Sequence, residues 1–368
     1  MRLSAIHQCL VGLILMLGAT SQVTPQDTLV ARQQSLDALL ADKAAAHGIV
    51  GQSVAVLKNG ELVATATHGQ ASVELSVPVG EDTVFQMFSV AKLFVNTVMM
   101  QLMEAGDVQM DAPVATYLPN LPSQWQKTTV RQLLTHTSGL PDYYHWPNPT
   151  PENEDTAIAL AAKGEFVFTP NTDYRYNQTN YLLLKQIIET ITGQSFSEVM
   201  QGRMMDPAGL TQTRYGGEYA VVPNRARTYF AGENGLLLNG PIFQPDYMFA
   251  STGLNSSAPD MVLWTKALLD GKFLPPERLQ HYWQTQDLAN GKLGGFAAGW
   301  EYWETESFRI VGHGGGNRVD VRHFISKTSG DTISVIYLTN GASTNFWPGS
   351  ISTAIAERWM PGVSSWLN

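Results

Sequence analysis

The stretch FQMFSVAKLFVNTVMMQLMEAG, from Phe85 to Gly106, holds the one Ser-x-x-Lys sequence in the chain, Ser89 to Lys92. The residues after Ser89 are apolar on nearly every face of a helix, so we predict a helix buried between layers that ends at Gly106. Three residues make almost one helical turn. The Ser89 hydroxyl and the Lys92 amine are therefore expected on one face, within reach of each other.

This pair has two interpretations. Burial disfavours the charged amine and lowers its pKa, so a buried Lys92 can be neutral and take the proton of a serine that attacks a carbonyl. A helix N-terminus also offers backbone N–H groups to negative charge. The alternative is a capping serine and a lysine that extends to the surface. A four-residue pattern alone does not decide between them.

Both ends of the chain have the pattern of β-strands. QSVAVLKNGELVATATHGQAS alternates apolar and polar residues around Asn59-Gly60, which predicts a hairpin. Towards the C-terminus, FAAGWEYW, DVRHFISK and TISVIYLTN are predicted strands separated by turn residues.

The region between these ends has helical spacing. NYLLLKQIIETITG predicts a helix that starts near Thr179 and ends at Gly193. SAPDMVLWTKALLDG opens with Ser257 and Asp260 in capping-box spacing and closes at Gly271. We therefore expect one sheet built from both chain ends, with a mostly helical insertion between them.

Two further segments carry candidate residues. Tyr176 stands just before the predicted helix at Thr179, where a phenol can relay protons to a leaving group. The alternative is an ordinary core or surface tyrosine. The second segment, RIVGHGGGNRVD, places three glycines after His313. A lipase-type oxyanion loop would need Gly-x-Ser-x-Gly and a phosphate loop would need Gly-Lys-Ser or Gly-Lys-Thr, and the sequence has neither.

These elements together resemble a known superfamily. Ser89-x-x-Lys92, Tyr176-Asn-Gln178 and His313-Gly-Gly occur in the order and spacing of the three active-site elements of the penicillin-recognising serine hydrolases. The similar branch holds class C β-lactamases, serine D-Ala-D-Ala carboxypeptidases, D-aminopeptidases and β-lactamase-like esterases. The resemblance runs from about residue 50 to about residue 340 and includes LLTHTSGLPDYY, LMEAGDVQMDAPVATYLP and STGLNSSAPDMVLW.

The resemblance implies a β-lactamase/transpeptidase-like α/β (α+β) fold, with an antiparallel sheet flanked by helices and an all-helical subdomain. We assign residues 22–110 and 285–368 to the α/β subdomain and residues 111–284 to the mostly helical one. The active site is expected in the groove between them.

The resemblance also implies roles for individual residues. Ser89 would be the nucleophile that becomes acylated, with Lys92 as its proton partner. Tyr176 would serve as base or as acid towards the leaving group. The backbone N–H groups of Ser89 and Gly316 would form the oxyanion hole.

The substrate-binding residues implied are Gln178, His313, Gly314 and Gly315, and two of them depart from the family pattern. Gln178 replaces the usual asparagine, so its contact with a substrate amide is expected to be re-aimed or lost. His313 replaces the lysine of class C β-lactamases. A histidine with its reference pKa of about 6.5 is mostly neutral at pH 7, and any binding of a substrate carboxylate by its protonated form should fade as pH rises.

Three functions remain under this resemblance. The departures favour ester or D-amino-acid peptide and amide substrates, hydrolysed through an acyl-enzyme on Ser89. The first alternative is a β-lactamase. The second is a catalytically silent penicillin-binding-like protein.

Other site expectations are weaker. His136, in THTSG, is interpreted as structural because Ser138-Gly139 end a helix there. Tyr143, Tyr144 and Trp146 are candidates to line the groove, with a core or surface role as the alternative. Arg318 is a candidate partner for a substrate carboxylate, with an unpaired exposed arginine as the alternative.

The composition bounds location and partners. Residues 1–21 combine one basic residue, a short apolar run and small residues, which predicts a signal peptide and export to the periplasm or exterior of a bacterium. No stable membrane span is expected after its cleavage.

Cys9 lies within this leader and no metal-ligand spacing occurs among the histidines, so no disulfide, metal or other cofactor is expected. The formal net charge of −9, without a basic run, argues against nucleic acid. A small-molecule or peptide substrate is the expected partner, and the oligomeric state stays open.

Overall fold

The computed structural model describes residues 25–145, 150–217, 219–233, 237–240 and 243–367. The expected signal peptide, residues 1–21, and the candidate groove residue Trp146 lie outside these ranges.

The described chain alternates helices with short and long strands. The α-helices are α1 Pro25–His47, α2 Ala91–Glu104, α3 Val130–Leu134, α4 Glu154–Ala161, α5 Gln178–Thr192, α6 Phe196–Met200, α7 Asp206–Ala208, α8 Ala258–Leu269, α9 Pro276–Tyr282 and α10 Pro348–Ala356. The strands are β1 Gly51–Lys58, β2 Glu61–Ser72, β3 Val77–Pro78, β4 Val84–Gln86, β5 Arg214–Tyr215, β6 Tyr229–Ala231, β7 Leu237–Asn239, β8 Leu254–Ser257, β9 Phe296–Ala297, β10 Trp300–Glu304, β11 Phe308–Gly314, β12 Asp320–Ser326 and β13 Thr332–Thr339.

The main sheet joins the two ends of the chain. Its eight strands are antiparallel neighbours in the order β3-β2-β1-β13-β12-β11-β10-β9. The β1–β2 hairpin turns at Asn59 and Gly60, which both have positive φ (51° and 81°), as its Asn-Gly sequence predicts. Pairing of β1 with β13 places Val54 opposite Tyr337. The expected sheet built from both chain ends is confirmed.

Helices cover both faces of this sheet. On one face, α1 and α10 pack their apolar residues, such as Leu40 and Ile355, against Val335 and its neighbours. On the other face, α2 and α8 belong to a larger core that also includes α5. The β1 and β13 strands contact α8 directly. This helix lies within residues 111–284, which the sequence assigned to the helical subdomain, yet it packs on the sheet.

The buried helix predicted from the opening stretch is α2. It contacts β11 on one side and α5 on the other, and its apolar residues are almost all inaccessible to solvent. The helix ends at Glu104, and Gly106 follows in the left-handed region at φ 82°. Among its buried polar residues, Asn96 accepts a hydrogen bond on Oδ1 from the Tyr181 hydroxyl over 2.7 Å.

The two other predicted helices form close to their expected ends. Gly193 caps α5 at φ 66°, as predicted. The Ser257 hydroxyl caps α8 by accepting from the Asp260 N–H over 3.3 Å. The Asp260 carboxylate, however, accepts from the N–H groups of Gln212 and Thr213 at 2.8 and 2.7 Å. The expected capping box is therefore half formed, because Asp260 instead holds the chain before β5.

Candidate active site

Ser89 lies in a tight turn between β4 and α2. This 3-10 turn, Phe88–Val90, begins with Phe88 at φ 46°, a strained conformation for an aromatic residue. Backbone strain of this kind costs about 1–3 kcal/mol and clusters at functional sites. Ser89 is half-buried and opens onto a cavity of about 760 Å³.

Lys92 forms the floor of the site. Its side chain is fully buried, and Nζ donates to Oε1 of Gln178 at 2.9 Å and to the carbonyl of Ser251 at 3.0 Å. The same nitrogen lies 4.8 Å from the ring centres of Tyr176 and Tyr181. Burial holds the pKa of Lys92 well below its ordinary value of 10.5. A lysine in this environment is suited to accept a proton.

Two carboxylates moderate that pKa. The charges of Asp142 and Glu301 act to raise the pKa of Lys92, but less strongly than burial lowers it. Asp142 is a residue whose role the sequence did not indicate. Its carboxylate accepts from the backbone N–H groups of Gln178 at 3.0 Å and Tyr144 at 3.2 Å. Asp142 thus fixes the start of α5 and the loop that faces it.

Tyr176 stands beside Ser89 at the N-terminal end of α5. Solvent reaches 38% of the residue, yet many protein atoms surround its hydroxyl, and this burial raises the pKa of the phenol above its ordinary value of 10. Hydrogen bonding to Ser89 and Gln178 opposes that rise without cancelling it. The phenol therefore stays protonated at ordinary pH, which suits a proton donor to a leaving group.

The His136 ring packs against the Tyr176 ring. The imidazole is fully buried, and its ring centre lies 4.9 Å from that of Tyr176. Its Nδ1 accepts from the N–H of Asn177 at 3.2 Å and lies 3.0 Å from Nδ2 of Asn180. These partners place the proton on Nε2. His136 is therefore a structural residue, as the sequence indicated, and its role is to position Tyr176.

The His313-Gly segment lies at the end of β11, as expected beside the serine. His313 and Gly314 pair with β12, whereas β10 pairs with β11 only as far as Gly312. The imidazole is 1% exposed, and burial lowers the pKa of His313 to about 3. The structure therefore does not support the hypothesis that a protonated His313 binds a substrate carboxylate, because the ring is neutral and beneath the surface.

The glycines after His313 pack against the turn that carries Ser89. A Cβ atom on Gly315 would lie 2.6 Å from the carbonyl oxygen of Met87 and 2.5 Å from a methyl group of Val319. A Cβ atom on Gly316 would lie 3.0 Å from the Phe88 ring. The resemblance implies that Gly314 and Gly315 bind substrate. The structure adds a requirement from the protein side, since no side chain fits between the two segments.

The two amides expected to form the oxyanion hole are available. Within the described ranges, the N–H groups of Ser89 and Gly316 donate to no backbone acceptor. Gly316 and Ser89 line the same cavity, together with Gln178. Two N–H donors that face the same point can stabilise the negative charge that develops in acyl transfer.

A buried ionic cluster behind β11 was not foreseen. Arg322 is fully buried and donates to Asp320 and Glu301, both at 2.7 Å. Glu301 Oε1 lies 3.8 Å from Nδ1 of His313. Asp320 and Arg322 do share one face of a predicted strand, but alternation alone does not distinguish a buried ion pair from an exposed one. The cluster braces the strand end that carries His313.

The remaining candidates divide between cavity and core. Tyr144 and Arg318 line the cavity, whereas Tyr143 is 2% exposed and belongs to the core. Arg318 is not unpaired, since its guanidinium donates to Oδ1 of Asn345 at 3.2 Å and lies 5.3 Å from the ring centre of Phe346. Among the residues that the structure describes, no group of three or more His, Cys, Asp or Glu side chains could hold a metal ion.

The fold and the convergence of these three motifs define the class of serine hydrolases that holds β-lactamases and penicillin-binding proteins. A family model described as Beta-lactamase matches residues 36–357. The chain therefore belongs to the beta-lactamase family.

Individual relatives agree with this family. Penicillin-binding protein 4* of Bacillus subtilis (strain 168) is 27% identical over 284 residues, which are 72% of this chain and 62% of that protein. A D-aminopeptidase of Gluconobacter oxydans (strain 621H) is 25% identical over 302 residues, 80% of this chain and 56% of that protein. The matched stretch is thus less than two thirds of the length of these curated relatives.

A solved structure shares the fold over almost its whole length. D-amino acid amidase from Ochrobactrum anthropi SV3, in complex with L-phenylalanine amide, superposes with a TM-score of 0.74 at 23% identity and covers 93% of this chain and 100% of its own. In the described part of the chain, no helix has the length and apolar character needed to cross a membrane.

Proposed function

We propose that this protein is an exported serine hydrolase that forms an acyl-enzyme on Ser89, with ester or D-amino-acid peptide and amide substrates. The observation that carries the proposal is that Ser89 and the Gly316 amide line one cavity, while buried Lys92 and the Tyr176 phenol lie directly behind its wall. Lys92 donates to two other lining residues, Gln178 and Ser251, and the Tyr176 hydroxyl is hydrogen-bonded to Ser89. These environments support the proposed roles. Export is supported by the leader-like residues 1–21.

Acylation would begin with a proton transfer from Ser89 to neutral Lys92. Oγ of Ser89 then attacks the substrate carbonyl, and the resulting oxyanion lies between the amides of Ser89 and Gly316. As the tetrahedral intermediate collapses, the bond to the leaving group breaks and that group takes the phenol proton of Tyr176. Lys92 returns its proton to the phenolate, and water releases the acyl group by the reverse sequence.

The substrate classes follow from the groove and from the relatives. Class C β-lactamases, which this chain resembles, have a lysine at the position of His313. His313 is buried and neutral, so this position offers no cation to a β-lactam carboxylate. The names of the relatives, a D-aminopeptidase and a D-amino acid amidase, support D-amino-acid derivatives as one substrate class. Hydrolysis of β-lactams therefore ranks below hydrolysis of esters and D-amino-acid derivatives.

Active-site labelling tests the proposal directly. Wild type, Ser89→Ala and the exposed-surface control Ser123→Ala are incubated with a fluorophosphonate and, separately, with a fluorescent penicillin, and intact mass is measured. We expect one adduct on wild type and Ser123→Ala and none on Ser89→Ala. A folded wild-type protein that takes up neither reagent would contradict the proposal and favour the catalytically silent alternative.

A substrate panel then separates the hydrolase alternatives. p-Nitrophenyl esters, nitrocefin and D-amino-acid amides are compared on wild type and Ser89→Ala. We expect turnover of esters or D-amino-acid amides above nitrocefin. Efficient nitrocefin turnover with little ester or amide hydrolysis would reverse the order of the two alternatives.

A further inference from the structure

The described residues that line the cavity at Ser89 include a basic side chain and no acidic one. Among the described residues that line it, Arg318 carries the only formal charge at neutral pH, and none is Asp or Glu. Apolar side chains supply much of the remaining surface, including Phe230 and Leu238 from the β6–β7 hairpin and Met248 from the turn before β8.

Four acidic residues near the cavity, among those that the structure describes, do not line it. Asp142 accepts from two backbone N–H groups, and Glu301 is bonded to Arg322 at 2.7 Å. Glu74 holds the β6–β7 hairpin from outside, since it accepts from Tyr229 and Asn239. Asn239 lines the cavity, whereas Glu74 does not. Exposed Glu233, at the end of β6, is also absent from the lining.

This distribution of charge matters for amino-acid substrates. An α-ammonium group is one carbon away from the scissile carbonyl, so it must enter the cavity whenever that carbonyl reaches Ser89. A cation that loses water without gaining a counter-charge is strongly disfavoured, and Arg318 adds repulsion. An acylated nitrogen, or an apolar group without nitrogen, loses no charge hydration and gains contact with the hairpin wall.

We infer that this site selects substrates in which the group next to the scissile carbonyl is apolar and uncharged, such as N-acylated amino-acid derivatives or simple esters, and that it rejects a free α-ammonium. This inference rests on the proposed function of the cavity as the substrate site. It narrows the D-amino-acid substrates to N-acylated derivatives, so a free D-amino-acid amide should be a poorer substrate than its N-acetyl form.

Binding to Ser89→Ala tests the inference without turnover. The ligands are D-phenylalaninamide and N-acetyl-D-phenylalaninamide, measured by titration calorimetry at pH 6.5 and pH 9. At pH 6.5 we expect the ammonium form to bind roughly tenfold or more weakly, a difference of about 1.4 kcal/mol. At pH 9 the gap should narrow, because an α-amino group with a pKa of about 8 is then mostly neutral.

A carboxylate introduced into the hairpin wall gives a gain-of-function test. Leu238 is 54% exposed and lines the cavity, so Leu238→Glu should fold, and Leu238→Gln is its uncharged matched control. In the Ser89→Ala background, the Glu variant should bind D-phenylalaninamide several-fold more tightly at pH 6.5 than the Gln variant does.

Three results would overturn the inference. They are equal or tighter binding of D-phenylalaninamide at pH 6.5, no binding of the N-acetyl compound at millimolar concentration, and no difference between the Glu and Gln variants. Labelling of wild-type Ser89 is measured in parallel, so loss of discrimination with intact labelling contradicts this inference alone. Absent labelling with discrimination retained contradicts catalysis and leaves the charge selection in place.

Discussion

Nζ of Lys92 donates a hydrogen bond of 2.9 Å to Oε1 of Gln178. Gln178 was expected to differ from the family asparagine in its contact with substrate. In the structure its extra methylene carries the amide oxygen to the buried lysine, while the same residue still lines the cavity. The substitution therefore concerns the proton acceptor as much as the substrate.

Shortening this side chain should slow acylation. Gln178→Asn withdraws the oxygen from Lys92, whose amine becomes charged as it takes the Ser89 proton. A hydrogen bond to a charged group contributes roughly 1.5–3 kcal/mol, so labelling should slow by about ten- to a hundredfold. The measurement is the rate of fluorophosphonate labelling by intact mass. Gln194→Asn, on the exposed surface after α5, is the matched control and should label at the wild-type rate. An unchanged rate in Gln178→Asn would show that this bond is not used.

The rate of Ser89 labelling should fall at acidic pH because of the protonation of Lys92, which gives the pH profile an acidic limb. Only the neutral amine accepts the Ser89 proton, so the rate should rise with pH through the folded-state pKa of Lys92 and level off well below pH 10.5. Lys92→Met should lose roughly 10²- to 10⁴-fold in rate and lose this limb, whereas exposed Lys163→Met should keep both. A limb that persists in Lys92→Met would assign the titration to another group.

Gly315→Ala should damage catalysis from a position that carries no reactive group. The new methyl group would be forced against Met87 and Val319 and would push the Gly316 amide away from Ser89. Loss of an oxyanion donor typically costs about 10²- to 10³-fold in kcat. The matched control is Gly202→Ala, where a Cβ meets nothing within 4 Å. Wild-type kcat in Gly315→Ala would argue against this packing.

The buried ionic cluster around Arg322 should contribute more to the free energy of unfolding than an exposed ion pair does. Arg322→Met leaves the fully buried Asp320 carboxylate without its partner, so the free energy of unfolding should fall by about 3–5 kcal/mol in urea titrations. Arg131→Met breaks a more exposed pair with Asp111 and should cost less than about 1 kcal/mol. Similar losses in the two variants would contradict the assigned importance of burial.

Three buried histidines should make the fold acid-sensitive. Burial lowers the pKa of His313 and of His323 to about 3 and that of His136 well below its ordinary value, whereas in the unfolded chain the value is about 6.5. The unfolded state then binds more protons between these values, so stability present above pH 6.5 is lost as pH falls. Each histidine contributes a slope of up to about 1.4 kcal/mol per pH unit.

Urea titrations from pH 7 to pH 5 measure that slope. His323→Gln should reduce it by about a third, because one of three buried histidines is removed, and the exposed control His68→Gln should leave it unchanged. Equal slopes in wild type and His323→Gln would mean that His323 is not neutral in the folded protein.

The sequence indicated the candidate reactive groups because each lies in a local pattern. The apolar run after Ser89 predicted the buried helix and hence a buried Lys92, and Asn59-Gly60 predicted its hairpin. Contacts between segments that are distant in the sequence could not be predicted from it. The Ser251 carbonyl that accepts from Lys92, and the Met87 oxygen that excludes a side chain at Gly315, have no signature in the sequence.

The burial of His313 shows the same limit. Its reference pKa described a solvated imidazole, whereas the folded environment is set by strands and aromatic rings far away in sequence. Phe296 and Tyr176 pack with ring centres 6.4 and 5.7 Å from that of His313. Periodicity assigns a residue to one side of a strand, but it does not tell how deep the covering layer is.

The insertion of β13 between β1 and β12 bears on how the protein reaches its native state. Until that strand arrives, β1 has a free apolar edge, which is a template for pairing with other chains. Ser89 also lacks the glycine segment that would complete its site. During synthesis, an incomplete chain would therefore be prone to self-association and would have an incomplete candidate site. When the C-terminal strands close the sheet, they cover the β1 edge and complete the proposed site in the same step.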